Sequence, residues 1–245
     1  MTIRVLVNGA HGKMGQQTVK TISDYVTDFT LVGKTGQGDD LAKEIKNNKA
    51  NVVIDFTNAD VVFKNAQTII DLGVHPVIGT SGLRLDQITQ LQKECLKRKL
   101  GGIIAPNFSL GAVLMMKQAT EIVKYFPNVE IIEMHHSGKI DSPSGTAMRT
   151  AELLAHARIN KLSVPTITHE TIPGARGALY ENIPIHAVRL PGLIASQEIV
   201  FGGLGETVCI RHDTIDRQCF MSGVLFACKK VFELDRLVYG LENLL

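Results

Sequence analysis

In the stretch "HHSGKIDSPSGTA", the adjacent His135 and His136 are followed by Lys139 and then by Ser144, Gly145 and Thr146. Three cationic or proton-donating groups so close together repel one another unless an anion collects them. Histidine titrates near neutrality and can hold or release a proton there, while lysine supplies fixed positive charge. Pro143 and the hydroxyls of Ser144 and Thr146 mark the first turn of a helix, whose free N–H groups can grip a carboxylate as they would a phosphate. Ser144 acting simply as the helix N-cap is the alternative. Together these residues describe a site for a small, multiply charged acid that must receive protons.

A second candidate lies near the start of the chain. "VLVNGAHGKMGQQTV" places Gly9, Gly12 and Gly15 in a G-x-x-G-x-x-G pattern between a strand-like run and a helix-like one. Glycine lets the backbone approach a pyrophosphate, and the helix N-terminus offers unpaired N–H groups to receive it. A tight turn with no ligand is the alternative reading. Sites that prefer NAD usually carry an acid at the end of the second strand. Here "FTLVGKTGQGDD" has Lys34 near that point and acids only at Asp39 and Asp40. Lys34 could attract a 2′-phosphate, so both NADPH and NADH stay open as cofactors. "GTSG" (79–82) and "APNFS" (105–109) fall at further strand ends, where an open parallel sheet collects its ligands.

The elements that would position these residues follow from periodicity. Strands are expected at residues 3–8, 29–33, 51–56, 76–79 and 102–105, alternating with helix-period segments such as "ADVVFKNAQTIIDLG" and "LDQITQLQKECLKRK". That alternation predicts an α/β fold with a parallel sheet. Beyond Asn107 the texture changes. Ser109 can cap a long helix, "VEIIEMHH" reads as a strand delivering the histidine pair, and a second helix starts at Ser144. Residues 160–182 show no period and read as a long loop. "IPIHAVRL", "SQEIVFGG" and "ETVCIRHDT" then alternate as an antiparallel meander would, and the chain from Gln218 onwards reads as helical.

Composition narrows the function classes. The 245 residues, 44% of them hydrophobic, suffice for a packed core. A net charge of +2, spread along the chain, lacks the basic face of a nucleic-acid binder. No run of apolar residues is long enough for a membrane span, and "MTIRVLVNGA" lacks the features of a signal peptide. Cys95, Cys209, Cys219 and Cys228 form no C-x-x-C pair and read as buried, reduced thiols, so no metal site is expected. A cytoplasmic protein is the expectation.

"EMHHSGKIDSPSGTA" resembles the E-x-H-H-x-x-K-x-D-x-P-S-G-T-A signature of the 4-hydroxy-tetrahydrodipicolinate reductase family. "GAHGKMG", "DFT" (55–57), "GTSG" and "APNFS" are similar to the same family in the same order. The resemblance implies a Rossmann-type dinucleotide-binding domain, residues 1–106 with a returning C-terminal helix at 218–245. It also implies a central α+β domain with a mixed sheet, residues 107–217, and a homotetramer joined through that domain. The implied reaction is NAD(P)H-dependent reduction of a cyclic hydroxy-imine dicarboxylate, with loss of water, in diaminopimelate and lysine biosynthesis. By residue, the resemblance makes His135 the proton donor or acceptor and Lys139 a second donor. It makes His136, Gly145 and Thr146 substrate contacts, with Ser144 beside them. The cofactor falls to Gly9, Ala10, His11, Gly12, Lys13 and Met14, to Gly79, Thr80 and Ser81, and to Ala105, Pro106, Asn107 and Phe108. The chain departs from the family pattern R-x-G-x-x-x-G-E-H, where Ala195, Ser196 and Gln197 replace the last three residues; the expected consequence is for a local hinge or interface. Two rivals are an amino-acid dehydrogenase on a related scaffold, which would not need H-H-x-x-K followed by S-G-T, and a non-catalytic NAD(P)-binding regulator, which would bind the cofactor without turnover.

Overall fold

The computed structural model describes residues 2–24, 27–159 and 169–245. The chain divides into two compact units, Met1–Leu110 with Arg217–Leu245, and Gly111–Asp216.

In the first unit, β1 (Ile3–Asn8), β2 (Phe29–Thr35), β3 (Val52–Asp55), β4 (His75–Ile78) and β5 (Gly102–Ile104) alternate with α1 (Lys13–Asp24), α2 (Leu41–Asn48), α3 (Val62–Asp71) and α4 (Leu85–Arg98). The strands are parallel, and β3, "VVID", is buried at every position, as a strand covered on both faces must be. On α3, Val62, Ala66, Ile69 and Ile70 are the buried residues, the face that their helical spacing predicts. Asp40 caps α2, its Oδ1 accepting from Lys43 N at 3.1 Å. Because every strand points the same way, the loops after them gather along one edge of the sheet.

The second unit opens with α5 (Leu110–Ile122), followed by β6 (Asn128–His135), α6 (Gly145–Ala157), β7 (Ala178–Tyr180), β8 (Ile183–Arg189), β9 (Ala195–Gly203) and β10 (Glu206–Thr214). The sheet order is β10-β9-β6-β8-β7. β6 is central, antiparallel to β9 and parallel to β8, so the sheet is mixed. Val129, Ile131 and Glu133 alternate onto its buried face, and α6 packs over β6 and β8.

Several expectations require correction. The three alternating segments do not form a meander, because β6 lies between β8 and β9, and of these three strands β9 and β10 alone pair with each other. Within the expected loop at 160–182, residues 160–168 lie outside the described residues, but 178–180 form β7, paired antiparallel with β8. The connecting residues Glu181 and Asn182 both have positive φ, 47° and 62°, giving a two-residue turn whose twist suits a hairpin. The C-terminal segment is not wholly helical. α7 (Cys219–Lys230) is followed by β11 (Leu237–Tyr239), which joins the parallel sheet beside β5. The short run Leu237-Val238-Tyr239 before Gly240, at φ 88°, fits a strand ending in a turn. Cys209 is exposed on β10, with its thiol 3.2 Å from Glu198 Oε1, whereas Cys95 and Cys228 are buried.

Candidate active site

The glycine turn between β1 and α1 is built for close approach. Gly9 has φ 80°, and a Cβ there would stand 2.3 Å from the Phe56 carbonyl oxygen; a Cβ at Gly15 would stand 2.1 Å from the Gly9 oxygen. The backbone N–H groups of Gly9 and Ala10 both donate to Thr35 O, pinning the turn to the end of β2. Beside it lies a cavity of about 690 Å³, lined by Asn8, Gly9, His11, Gly12, residues 36–39, Leu41, residues 56–58, Asp60, Val61 and Asn65. The volume is that of a site for a sizeable small molecule.

A fully buried carboxylate organises this edge. Asp55, at the end of β3, accepts from Asn8 Nδ2 (2.8 Å), Asn65 Nδ2 (3.0 Å), Thr57 N (3.1 Å), Thr57 Oγ1 (2.7 Å) and Thr80 Oγ1 (2.6 Å). These donors come from the ends of β1 and β4, the loop after β3, and α3. One side chain therefore ties together loops that separate strands deliver. Asn8 Oδ1 accepts in turn from Thr35 Oγ1 at 2.8 Å, extending the network to β2.

The sequence-predicted cofactor residues divide into groups. Gly9, His11 and Gly12 line the cavity, Ala10 is buried beneath the turn, and Lys13 and Met14 begin α1. Thr80 is buried and bound to Asp55, while Ser81 is exposed. Gly79 lies against Phe56 and Phe108, whose rings meet edge to face at 5.8 Å. Ala105 and Phe108 are buried, Pro106 is exposed, and Asn107 Oδ1 accepts from Ser109 N. None of Gly79–Ser81 or Ala105–Phe108 belongs to the lining of the 690 Å³ cavity. Nor does Lys34, which is exposed: strand alternation turns Thr35 inward to Asn8 and Lys34 outward, and the lining resumes at Gly36. Of the two nearby acids, Asp40 caps α2 and Asp39 lines the cavity, with its Oδ2 accepting from Gly36 N at 2.8 Å.

In the second unit, β6 delivers His135 with its side chain 14% exposed, and the exposed His136 follows it. Glu133, with no exposed surface, sits beneath. Its Oε2 lies 2.5 Å from His135 Nδ1 and 2.9 Å from Arg189 Nη1, while its Oε1 accepts from Arg189 Nη2 at 2.7 Å and Ser144 N at 3.2 Å. Burial works to raise the Glu133 carboxyl, but the hydrogen bonds from Arg189 and His135 outweigh it and hold the group below the usual carboxylate range. Burial pushes His135 below the ordinary imidazole value, and the hydrogen bond to Glu133 only partly opposes it. Lys139 Nζ is held by Asp141 at 2.7 and 2.9 Å. Arg189 Nη2 also donates to Asp141 O, joining this turn to the Glu133 cluster.

Ser144 is buried, and its hydroxyl accepts from Ala147 N at 3.2 Å, so the side chain serves as the N-cap of α6. Gly145 and Thr146 stand in the first helical turn, and a Cβ at 145 would meet nothing within 4 Å, so the approach there is open. The residues that depart from the family pattern lie on β9. Ala195, Ser196 and Gln197 pair across β6 with His135, Met134 and Glu133, and Gln197 Nε2 donates to Thr150 of α6 at 2.8 Å. Sequence reasoning missed Asp55, Glu133 and Arg189 as site residues. A signal existed for Glu133, a carboxylate on the buried phase of an alternating strand.

Residues 3–108 match the family model "Dihydrodipicolinate reductase, N-terminus", and residues 111–245 match "Dihydrodipicolinate reductase, C-terminus". The chain is 55% identical over 245 residues to a 4-hydroxy-tetrahydrodipicolinate reductase of Coxiella burnetii and 52% identical over 248 residues to one of Legionella pneumophila, each pair covered completely. A dipicolinate-bound dihydrodipicolinate reductase from Paenisporosarcina sp. TG-14 is similar in structure, with a TM-score of 0.92 and 43% identity over the whole of both chains. An amine dehydrogenase from Mycobacterium smegmatis, at 11% identity and a TM-score of 0.64 over 97% of this chain and 95% of that one, shares the fold alone. The chain belongs to the 4-hydroxy-tetrahydrodipicolinate (dihydrodipicolinate) reductase family.

Proposed function

We propose that this chain reduces (2S,4S)-4-hydroxy-2,3,4,5-tetrahydrodipicolinate to tetrahydrodipicolinate, consuming one reduced nicotinamide dinucleotide and one proton and releasing water. This is a step of diaminopimelate and lysine biosynthesis. The observation that carries the reading is the pairing of the buried Glu133 with the partly buried His135 beside the first turn of α6, with Lys139 in the intervening turn. It supplies what a dicarboxylate needs if it is to be held and protonated in one place.

The residues present fit a dinucleotide. The Gly9 turn leaves no room for a Cβ, α1 begins directly after it, and the adjoining cavity is large enough. Gly9, His11, Gly12 and the start of α1 would hold the pyrophosphate, with Thr80 and the Phe56–Phe108 pair shaping the neighbouring loops. When bound, the reduced nicotinamide supplies the hydride. The cavity lining includes Asp39 and Asp60 and no lysine or arginine, which favours the ribose hydroxyls of NADH over the 2′-phosphate of NADPH.

On the substrate side, the first-turn N–H groups at Gly145 and Thr146 are suited to one carboxylate, and Lys139 and His136 add positive charge. Expulsion of the hydroxyl as water takes up a proton that the loss of a ring proton returns, and hydride addition leaves electron density that the one proton consumed overall must quench. His135, exposed only at its edge, is placed to give that proton from its outer nitrogen, and Lys139 serves as a second donor. As in the family resemblance, a cytoplasmic homotetramer is the expected assembly. The deciding experiment generates the unstable substrate in place and follows the absorbance of the reduced cofactor. Consumption that depends on both substrate and this protein supports the reading; cofactor binding without consumption would refute it.

A further inference from the structure

We infer that Glu133 is the positioning residue of the proton-transfer site, fixing His135 with Nδ1–H turned inward and Nε2 as the atom that exchanges protons, while holding the start of α6 in register with that ring. The inference deepens the proposed reduction and rests on it.

An ionised carboxylate only accepts hydrogen bonds, so the ring nitrogen facing Glu133 Oε2 at 2.5 Å must be the donor. In a neutral imidazole that leaves Nε2 as the acceptor, and in the imidazolium it leaves Nε2–H as the outward acid. Glu133 remains ionised despite complete burial because Arg189 engages both of its oxygens in a fork, at 2.7 and 2.9 Å. The second oxygen also takes the Ser144 N–H, one residue before the turn that receives the substrate carboxylate. Proton donor and carboxylate grip are thus set by one rigid group.

The surroundings leave few other influences on the ring. Arg189 acts on it from β8 and Lys139 from the turn after β6, where Asp141 holds the lysine, and His212 lies two strands away on β10. On β9 the position paired with Glu133 is the neutral Gln197, whose amide is directed to Thr150. A purely structural role would be better served by an apolar residue, since Val129 and Ile131 fill the same buried phase of β6 and a hydrophobic isostere usually equals or exceeds a buried ion pair in stability.

The test combines a spectroscopic readout with kinetics. In the wild-type enzyme with its cofactor, ¹⁵N–¹H correlations of the His135 ring, assigned by their loss in His135→Gln, are expected to show the Nδ1–H tautomer in the neutral form. An Nε2–H tautomer would overturn the inference without any variant at Glu133. Glu133→Gln should lower kcat by about 10-fold or more, within the roughly 10²–10⁴-fold that a general acid contributes. It should also shift the ionisation of His135 in the pH profile, with NADH affinity unchanged. In the double variant Glu133→Gln/His135→Gln, kcat should be no lower than in His135→Gln alone, because the two residues act as one unit. Losses that multiply, or a wild-type kcat for Glu133→Gln beside a crippled His135→Gln, would overturn the positioning role. Wild-type turnover in His135→Gln would instead refute the proposed function of His135 itself, so the two failures are distinguishable.

Discussion

Asp55 and Glu133 are both carboxylates with no exposed surface, yet their partners differ in kind. Asp55 accepts five hydrogen bonds from two threonine hydroxyls, two asparagine amides and a backbone N–H, all of them neutral. Glu133 is gripped by a guanidinium and an imidazole, with one backbone N–H besides. Neutral donors fix the geometry of the loops that bring them and give the carboxylate no titratable partner. Cationic donors couple the carboxylate to groups that hold and release protons. The same functional group, equally buried, thus acts as an architectural tie beside the 690 Å³ cavity and as an electrostatic control beside the histidine.

The largest disruption is expected at the architectural tie. Asp55→Asn keeps the shape but turns an acceptor into a donor among donors, and an unsatisfied buried donor costs about 1–3 kcal/mol. With several donors affected, the first unit should lose about 3 kcal/mol, read as a lower midpoint of urea unfolding, and NADH affinity should fall with it. A loss below about 1 kcal/mol would mean that the strand-end loops hold themselves. A smaller effect is expected at the carboxylate grip. Pyridine-2,6-dicarboxylate should inhibit competitively against substrate, and Thr146→Val should weaken that inhibition about ten-fold, the worth of one charge-assisted hydrogen bond. Equal inhibition in variant and wild type would remove the Thr146 hydroxyl from the site. The smallest effect concerns cofactor choice. Asp39→Ala should raise kcat/KM with NADPH relative to NADH several-fold, while Lys34→Ala should change it little, and any Lys34 contribution should shrink at high salt as exposed charges are screened over ~10 Å at about 0.1 M. An NADPH preference that collapses in Lys34→Ala would reverse that assignment.

Much of this was legible in the sequence because it rests on local pattern. The continuous apolar runs of β1 and β3, the helical spacing on α3 and the glycine turn at Gly9 each depend on neighbours in the chain. What escaped depends on partners far away. Arg189 lies 56 residues from Glu133, and nothing around either announces the fork between them. β8 and β9 follow one another in sequence, yet β6 pairs between them, a choice made by sheet assembly and not by either segment. β7 is three residues long and half exposed, too short to show a period, and its turn uses Glu181-Asn182 where the usual signal is Asn-Gly. The three residues of β11 cannot outweigh the helical pattern of α7 before them, so the sequence alone reads as helix there. At Lys34 the sequence leaves the facing open, because a one-residue alternation decides which side of the strand a residue takes, and the structure leaves this lysine exposed.

His135 as the proton donor of the proposed reduction, with the cofactor held apart from it at the glycine turn, is open to one decisive measurement. Turnover of substrate generated in place, measured for wild type, His135→Gln and Lys139→Ala with NADH affinity read in the same samples, tests it most directly. kcat should fall about 10²–10⁴-fold in His135→Gln and substantially in Lys139→Ala, with cofactor affinity nearly unchanged in both. Near-wild-type turnover in His135→Gln would contradict it.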